Sequence, residues 1–179
     1  KIRSDSPTTT LTQVMGPWQH GGWGYTTGES LGDISFESKT AEWYQRNVEL
    51  PFFVHHLKGT SSFSAPAMIS FETGSNRWIE FPAWPPEQSN SVTVLFGPGG
   101  GLSSGPASSL KGFEEFVSDP AHPVPYSSRV RPDRGVDYMI DDQRFASMRP
   151  DVVTFSSAIL SDTVTIAGTP EADIWFSTT

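Results

Sequence analysis

Hydrophobic periodicity in this chain changes once, at Gly59, and that change restricts the fold to a helix followed by β structure. Before it, Tyr44, Val48 and Phe52 recur every four residues, Thr40 reads as an N-cap, and Glu42 falls in the first turn, where a carboxylate suits the helix dipole. The spacing predicts a helix from Thr40 to Lys58 that Gly59 stops. Pro51 lacks a backbone N–H and clashes one turn back, so it is expected to kink the helix or divide it in two. Beyond Gly59, Thr60-Ser61-Ser62 and Ser64-Ala65-Pro66 read as a linker, placing a domain boundary between residues 1–62 and 63–179.

Alternation then takes over. Ala67, Ile69 and Phe71 share one face of a predicted strand, Thr73-Gly74-Ser75-Asn76 has turn chemistry, and Trp78 to Phe81 returns as the second arm of a hairpin. Further β-rich runs are Val92 to Phe96, Val152 to Phe155, Val164 to Ala167 and Asp173 to Phe176. The region from Gly97 to Asp142 reads as irregular chain that packs on another surface, in keeping with 16 Gly and 15 Pro overall. Upstream, Lys1 to Thr10 reads as a loop, and Thr12 to Met15 as a short extended segment ended by Gly16-Pro17. The predicted last strand stops at Thr179 with an open edge, which more sequence or a second copy of the chain would complete.

Composition removes several function classes. The formal net charge is −8 and no basic run could neutralise a series of phosphates, so a nucleic-acid partner is not expected. No apolar run approaches the roughly 20 residues that span a bilayer, and no membrane partner is expected. The absence of Cys excludes disulfides, thiolate metal sites and a cysteine nucleophile. No P-loop, dinucleotide fingerprint or zinc spacing occurs, and no cofactor or metal is expected.

The candidate chemistry centres on His20. It lies in Trp18-Gln19-His20-Gly21-Gly22-Trp23-Gly24-Tyr25, a glycine-rich loop past a strand end, where an imidazole, able to take up and return a proton, can reach a substrate. Packing of His20 against Trp18 and Trp23 is the alternative. His55 and His56 are adjacent on the predicted helix, point about 100° apart and cannot chelate one metal together. His122, between Ala121 and Pro123, receives no role. Gly101-Leu102-Ser103-Ser104-Gly105 matches the G-x-S-x-G of a nucleophile elbow, but no helical pattern follows it, and His20 precedes the serine. Asp137, Asp141 and Asp142 lack the spacing of a calcium loop and are read as a solvated acidic loop or as partners of Arg144 and Arg149.

An ordered set of motifs spans nearly the whole chain: Met15-Gly16-Pro17-Trp18-Gln19-His20, Pro51 to Gly59, Phe71 to Trp78, Trp84-Pro85-Pro86, Gly100 to Ser103, Asp119-Pro120, Pro123-Val124-Pro125, Asp142-Gln143-Arg144 and Arg149-Pro150-Asp151-Val152. This set resembles the CocE/NonD serine hydrolases, which include α-amino-acid ester hydrolases, glutaryl-7-aminocephalosporanic-acid-acylase-like proteins and X-Pro dipeptidyl-peptidases. The resemblance implies a predominantly β chain: the tail of an α/β-hydrolase domain, with one long helix, followed by an incomplete jelly-roll sandwich. It implies that His20 is the histidine of a Ser-His-Asp triad, with the serine and acid upstream of residue 1, so that this chain alone would be inert. Trp23 and Tyr25 are then expected to line the acyl pocket. The implied substrates are small esters or amides, α-amino acyl or β-lactam compounds in particular. The alternatives are an X-Pro dipeptidyl-peptidase acting on short peptides, and a jelly-roll binding module, which exposed Trp78, Trp84 or Trp175 would favour. Many relatives are bacterial and some are exported.

Overall fold

A computed structural model describes residues 2–104, 112–133 and 135–178. The chain divides into two compact units, one of Lys1–Pro17, Trp43–Asn90 and Val164–Thr179, the other of Trp18–Glu42 and Ser91–Thr163.

The first unit is organised by a three-stranded sheet in the order β1 (Gln13–Met15), β4 (Met68–Glu72), β5 (Arg77–Phe81). The hairpin forms as its sequence directs, with Glu72 opposite Arg77 and Phe71 opposite Trp78. Gly74 and Asn76 supply the positive φ of its turn. Strand β1 runs parallel to β4 with Val14 opposite Ile69, a pairing that requires a crossover, and the helical segment lies on that crossover. One sheet thus draws strands from both sides of residue 62. β4 is the central strand, and Met68 and Ile69, which point to opposite faces of it, are both buried, so this strand is covered on both faces rather than alternating between core and solvent. Trp78 stacks on Trp43 at 4.6 Å and meets Phe71 edge-on at 5.4 Å, and Phe81 packs against Trp84.

The predicted helix is continuous in sequence but changes pitch: α3 (Thr40–Tyr44), a π turn at Gln45–Glu49, α4 (Leu50–Phe53) and a second π turn at Val54–Lys58. Pro51, which has no N–H to give the preceding turn, sits at the second residue of α4, and the chain passes from wide to tight winding one residue before it. Gly59, at φ 64°, ends the helix with its N–H on the His55 carbonyl.

The second unit holds two small antiparallel pairs, β2 (Ser30–Leu31) with β3 (Ile34–Ser35) and β6 (Leu95–Gly97) with β7 (Gly101–Ser103). Phe36, Ala41 and Ala146 are its buried apolar residues among those described, and Thr40 is buried with them. The acidic residues fall where ion pairs and turns need them. Arg144 pairs with Asp142, and Arg149 grips Asp151 through Nε and Nη2 while Nη2 also donates to the His122 carbonyl at 2.9 Å. His122 Nδ1 in turn lies 2.7 Å from Asp119 Oδ2. Asp141 accepts hydrogen bonds from Ser127 Oγ at 2.8 Å and Ser128 N at 3.1 Å.

Several expected strands differ. Val92 to Phe96 contributes only its end to β6. Val152 to Phe155, Val164 to Ala167 and Asp173 to Phe176 join no ladder among the described residues; the nearest approach is a single bridge between Gly101 and Ser156. β-branched and aromatic composition favours an extended backbone, but a strand exists only when a neighbour takes its N–H and C=O groups, and these runs have none here. Lys1 to Thr10, expected as a loop, contains one helical turn, α1 (Ile2–Asp5), and Gly22–Tyr25 forms another, α2, inside the glycine-rich loop. A last short helix, α5 (Arg144–Ser147), also had no periodic signal, since four residues are too few to show one. No helix among the described residues is long and apolar enough to cross a membrane.

Met68 is the largest apolar side chain to be fully buried among the described residues. Met68→Ala should cost about 2–5 kcal/mol by urea unfolding, because the central strand cannot close the cavity. The Asp141 carboxyl is held below the usual carboxylate range, first by the Ser127 hydroxyl and next by the Ser128 N–H. A lowered folded pKa stabilises the Ser127–Asp141 clasp above the ordinary aspartate range and releases it as pH falls through the lowered value. Exchange protection of the Ser128 amide should therefore persist through the ordinary range and be lost only below it.

Candidate functional site: the histidine loop

The loop carrying His20 is fixed by one buried hydroxyl. Thr40, fully buried, donates from Oγ1 to the Gly28 carbonyl at 2.6 Å and accepts from the Trp18 indole Nε1–H at 2.8 Å. The sequence led us to expect Thr40 as the N-cap of its own helix, and the structure corrects this. The first free N–H groups of α3, those of Ala41 and Glu42, go to the Thr27 carbonyl, which frees the Thr40 side chain to reach back to the loop. Gly28 can only be glycine: at φ 73°, an added Cβ would lie 2.8 Å from Trp18 Nε1 and closer still to Thr40 Oγ1 and the Ala41 N.

Within that frame the loop makes two tight turns. Gly21, at φ 75°, reverses the chain after His20, and α2 follows with Thr26 capping its end through N and Oγ1 on the Gly22 carbonyl. Trp18 and Trp23 lie 6.3 Å apart and tilted. His20 itself is exposed, and among the described residues its ring makes no hydrogen bond or ion pair, with a serine or a carboxylate or otherwise. Trp23 is 38% exposed and Tyr25 66% exposed. The Tyr25 hydroxyl accepts from Gln19 Nε2 at 2.6 Å and donates to the His20 carbonyl at 3.3 Å. A hollow of about 70 Å³ beside the loop is lined by Trp18, Gln19, Gly22, Thr26, Leu31 and Val136 among others, and by neither Trp23 nor Tyr25. Ligand pockets run to about 300–1,000 Å³, so this hollow has room for water rather than for an acyl group.

The other candidates are accounted for structurally. Ser103 ends β7, paired through Leu95 in a strand-to-strand hairpin rather than at a strand-to-helix turn; Gly105 of its motif lies outside the described residues. His55 donates from Nδ1 to the Ser61 carbonyl, and its ring meets His56 edge-on. Gln19, Gly28 and Thr40 are the loop-fixing residues that sequence reasoning missed. For Thr40 the signal was ambiguous, since a threonine at a helix start can bond its own turn or a distant carbonyl with equal chemistry.

Residues 53–179 match the family described as the X-Pro dipeptidyl-peptidase C-terminal non-catalytic domain. The chain belongs to this family, that of the CocE/NonD C-terminal domains. His20 and its loop lie N-terminal to the matched residues. Cocaine esterase from Rhodococcus sp. (strain MB1 Bresler) is 29% identical over 92% of this chain, which corresponds to 30% of that protein. Among solved structures, an α-amino acid ester hydrolase superposes with a TM-score of 0.79 at 36% identity, over 92% of this chain and 28% of its own. An aminopeptidase from the marine sediment archaeon Thaumarchaeota archaeon gives 0.74 at 34% identity, over 88% of this chain and 26% of its own. The chain therefore spans less than a third of the length of each of these relatives, all of which are hydrolases by description.

Replacing Thr40 by Val keeps its shape but strands the Trp18 N–H and the Gly28 carbonyl. Unfolding in urea should show a loss of about 1–3 kcal/mol for each group left unpaired, with Thr40→Ser close to the parent protein.

Proposed function

We propose that this chain supplies the general base of a serine hydrolase that cleaves ester or amide bonds through an acyl-enzyme. The observation that carries the reading is an exposed imidazole, free of internal partners among the described residues, on a backbone pinned by Trp18, Thr40 and Gly28. In this reading the nucleophilic serine and the acid that orients His20 come from sequence outside these 179 residues. His20 takes the hydroxyl proton as serine Oγ bonds to the substrate carbonyl carbon, and returns it to the leaving alcohol or amine as the tetrahedral intermediate collapses. Water then repeats the sequence on the acyl-enzyme. The exposed faces of Trp23 and Tyr25 contact the acyl group, and the substrates are α-amino acyl or β-lactam side-chain compounds. Residues 1–62 close the catalytic domain and residues 63–179 begin a jelly-roll. The lack of regular structure between Gly59 and Ala67 supports that division, the family match starts ahead of it at residue 53, and the pairing of β1 with β4 bridges it.

The family's description favours a second reading, an X-Pro dipeptidyl-peptidase, and turnover of amino-acid esters against X-Pro chromogenic peptides separates the two. A binding-module role draws on Trp175 alone, which is 95% exposed, whereas Trp78 and Trp84 are half-buried against aromatic neighbours.

In the full-length polypeptide, His20→Ala should lower kcat by about three orders of magnitude or more, while Ser103→Ala leaves it unchanged. A serine-reactive fluorophosphonate should leave the 19.6 kDa chain itself unlabelled. Near-normal turnover by His20→Ala, or labelling of Ser103, would overturn the assignment.

A further inference from the structure

We propose that Tyr25 is a positioning residue for His20, acting through its hydroxyl on the peptide from which the imidazole projects; this rests on the reading of His20 as the base. Three observations converge on it. The Tyr25 hydroxyl is satisfied on both sides, accepting from Gln19 Nε2 at 2.6 Å and donating to the His20 carbonyl at 3.3 Å, so it ties together the two residues that lead into the turn. The ring reaches them by lying over Gly21, where an added Cβ would stand 3.4 Å from Tyr25 Cε1, and where φ 75° is a conformation that other residues adopt with strain. Gly22 is closed from the other side, since its Cβ would meet Trp18 Cβ at 3.2 Å and Gln19 Cγ at 3.3 Å. The two glycines thus leave room for a phenol to brace the turn from solvent while the Trp18 side chain seats it from within.

The alternation of glycine and aromatic residues acquires a purpose from this. An exposed loop with a bare imidazole would sample many orientations, and a general base displaced by about 1 Å can lose on the order of a hundredfold in rate. Thr40 fixes where the loop begins and ends, but neither of its bonds reaches His20. Tyr25 is the side chain that bonds the His20 backbone directly among the described residues. Its hydroxyl is engaged with the chain, so whatever the ring face does for substrate, the oxygen is committed to the turn.

The test uses the full-length polypeptide and compares Tyr25→Phe, Gln19→Ala and His20→Ala. With an amino-acid ester as probe, Tyr25→Phe should lower kcat about tenfold with KM within a factor of about two, and the thermal midpoint should stay near that of the parent, because both bonds are solvent-exposed. Gln19→Ala should give a smaller loss of the same kind. A rise in KM with kcat retained would make the Tyr25 hydroxyl, rather than its ring alone, a substrate contact and overturn the inference. So would a fall in thermal midpoint with kcat per folded molecule unchanged, which marks a structural role. An inactive His20→Ala beside a fully active Tyr25→Phe overturns the inference alone, whereas an active His20→Ala overturns the base assignment and this inference with it.

Discussion

One hydroxyl, on Thr40, holds the histidine loop to the start of the long helix. It joins Trp18, Gly28 and α3, and it does so from complete burial, where an unmade hydrogen bond is expensive. The rest of the loop follows from that anchor. Trp18 must stand at one end with its indole pointing inward, Gly28 must lack a side chain at the other, and the nine residues between have to turn twice in the space left to them. Glycines at 21 and 22 make those turns possible, and the exposed position of His20 is what remains once they are made.

The parts of this fold legible in the sequence are those in which local chemistry and tertiary context agree. Gly59 ends the helix because a left-handed residue can cap it and a β-branched one cannot, and the Phe71–Trp78 hairpin carries its own turn residues. Where partners are remote, composition misleads. Ile166, Ile174 and Phe176 have the character of strand residues but no ladder beside them among the described residues, and β1, the strand that pairs with Met68, lies far away in the sequence. The candidate site divides in the same way. His20 was recognisable from a titratable side chain among glycines, whereas Thr40 was assigned to the wrong bond, since its true acceptor is the carbonyl twelve residues earlier.

Family membership and site sit on different stretches of the chain. The non-catalytic domain match begins at residue 53, within α4, and His20 precedes it by more than thirty residues. Motif residues inside the matched region have scaffolding duties instead: Arg149 joins Asp151 to the His122 carbonyl, and His122 joins Asp119, so residues scattered over that stretch form one surface network of charge-assisted bonds.

The pitch changes in the long helix alter which way its side chains face. A turn that takes up one extra residue sets everything after it back by about 100° relative to an unbroken α-helix. The stripe of Tyr44, Val48 and Phe52 reads as one seam, yet Val48 is buried while Phe52 stands substantially exposed, packed on Phe63 and His56. Leu50, Phe53 and Leu57 form a separate exposed apolar line beyond the first wide turn. The helix is thus two hydrophobic surfaces joined in one rod and rotated against each other, so its halves can serve different neighbours without any loop between them.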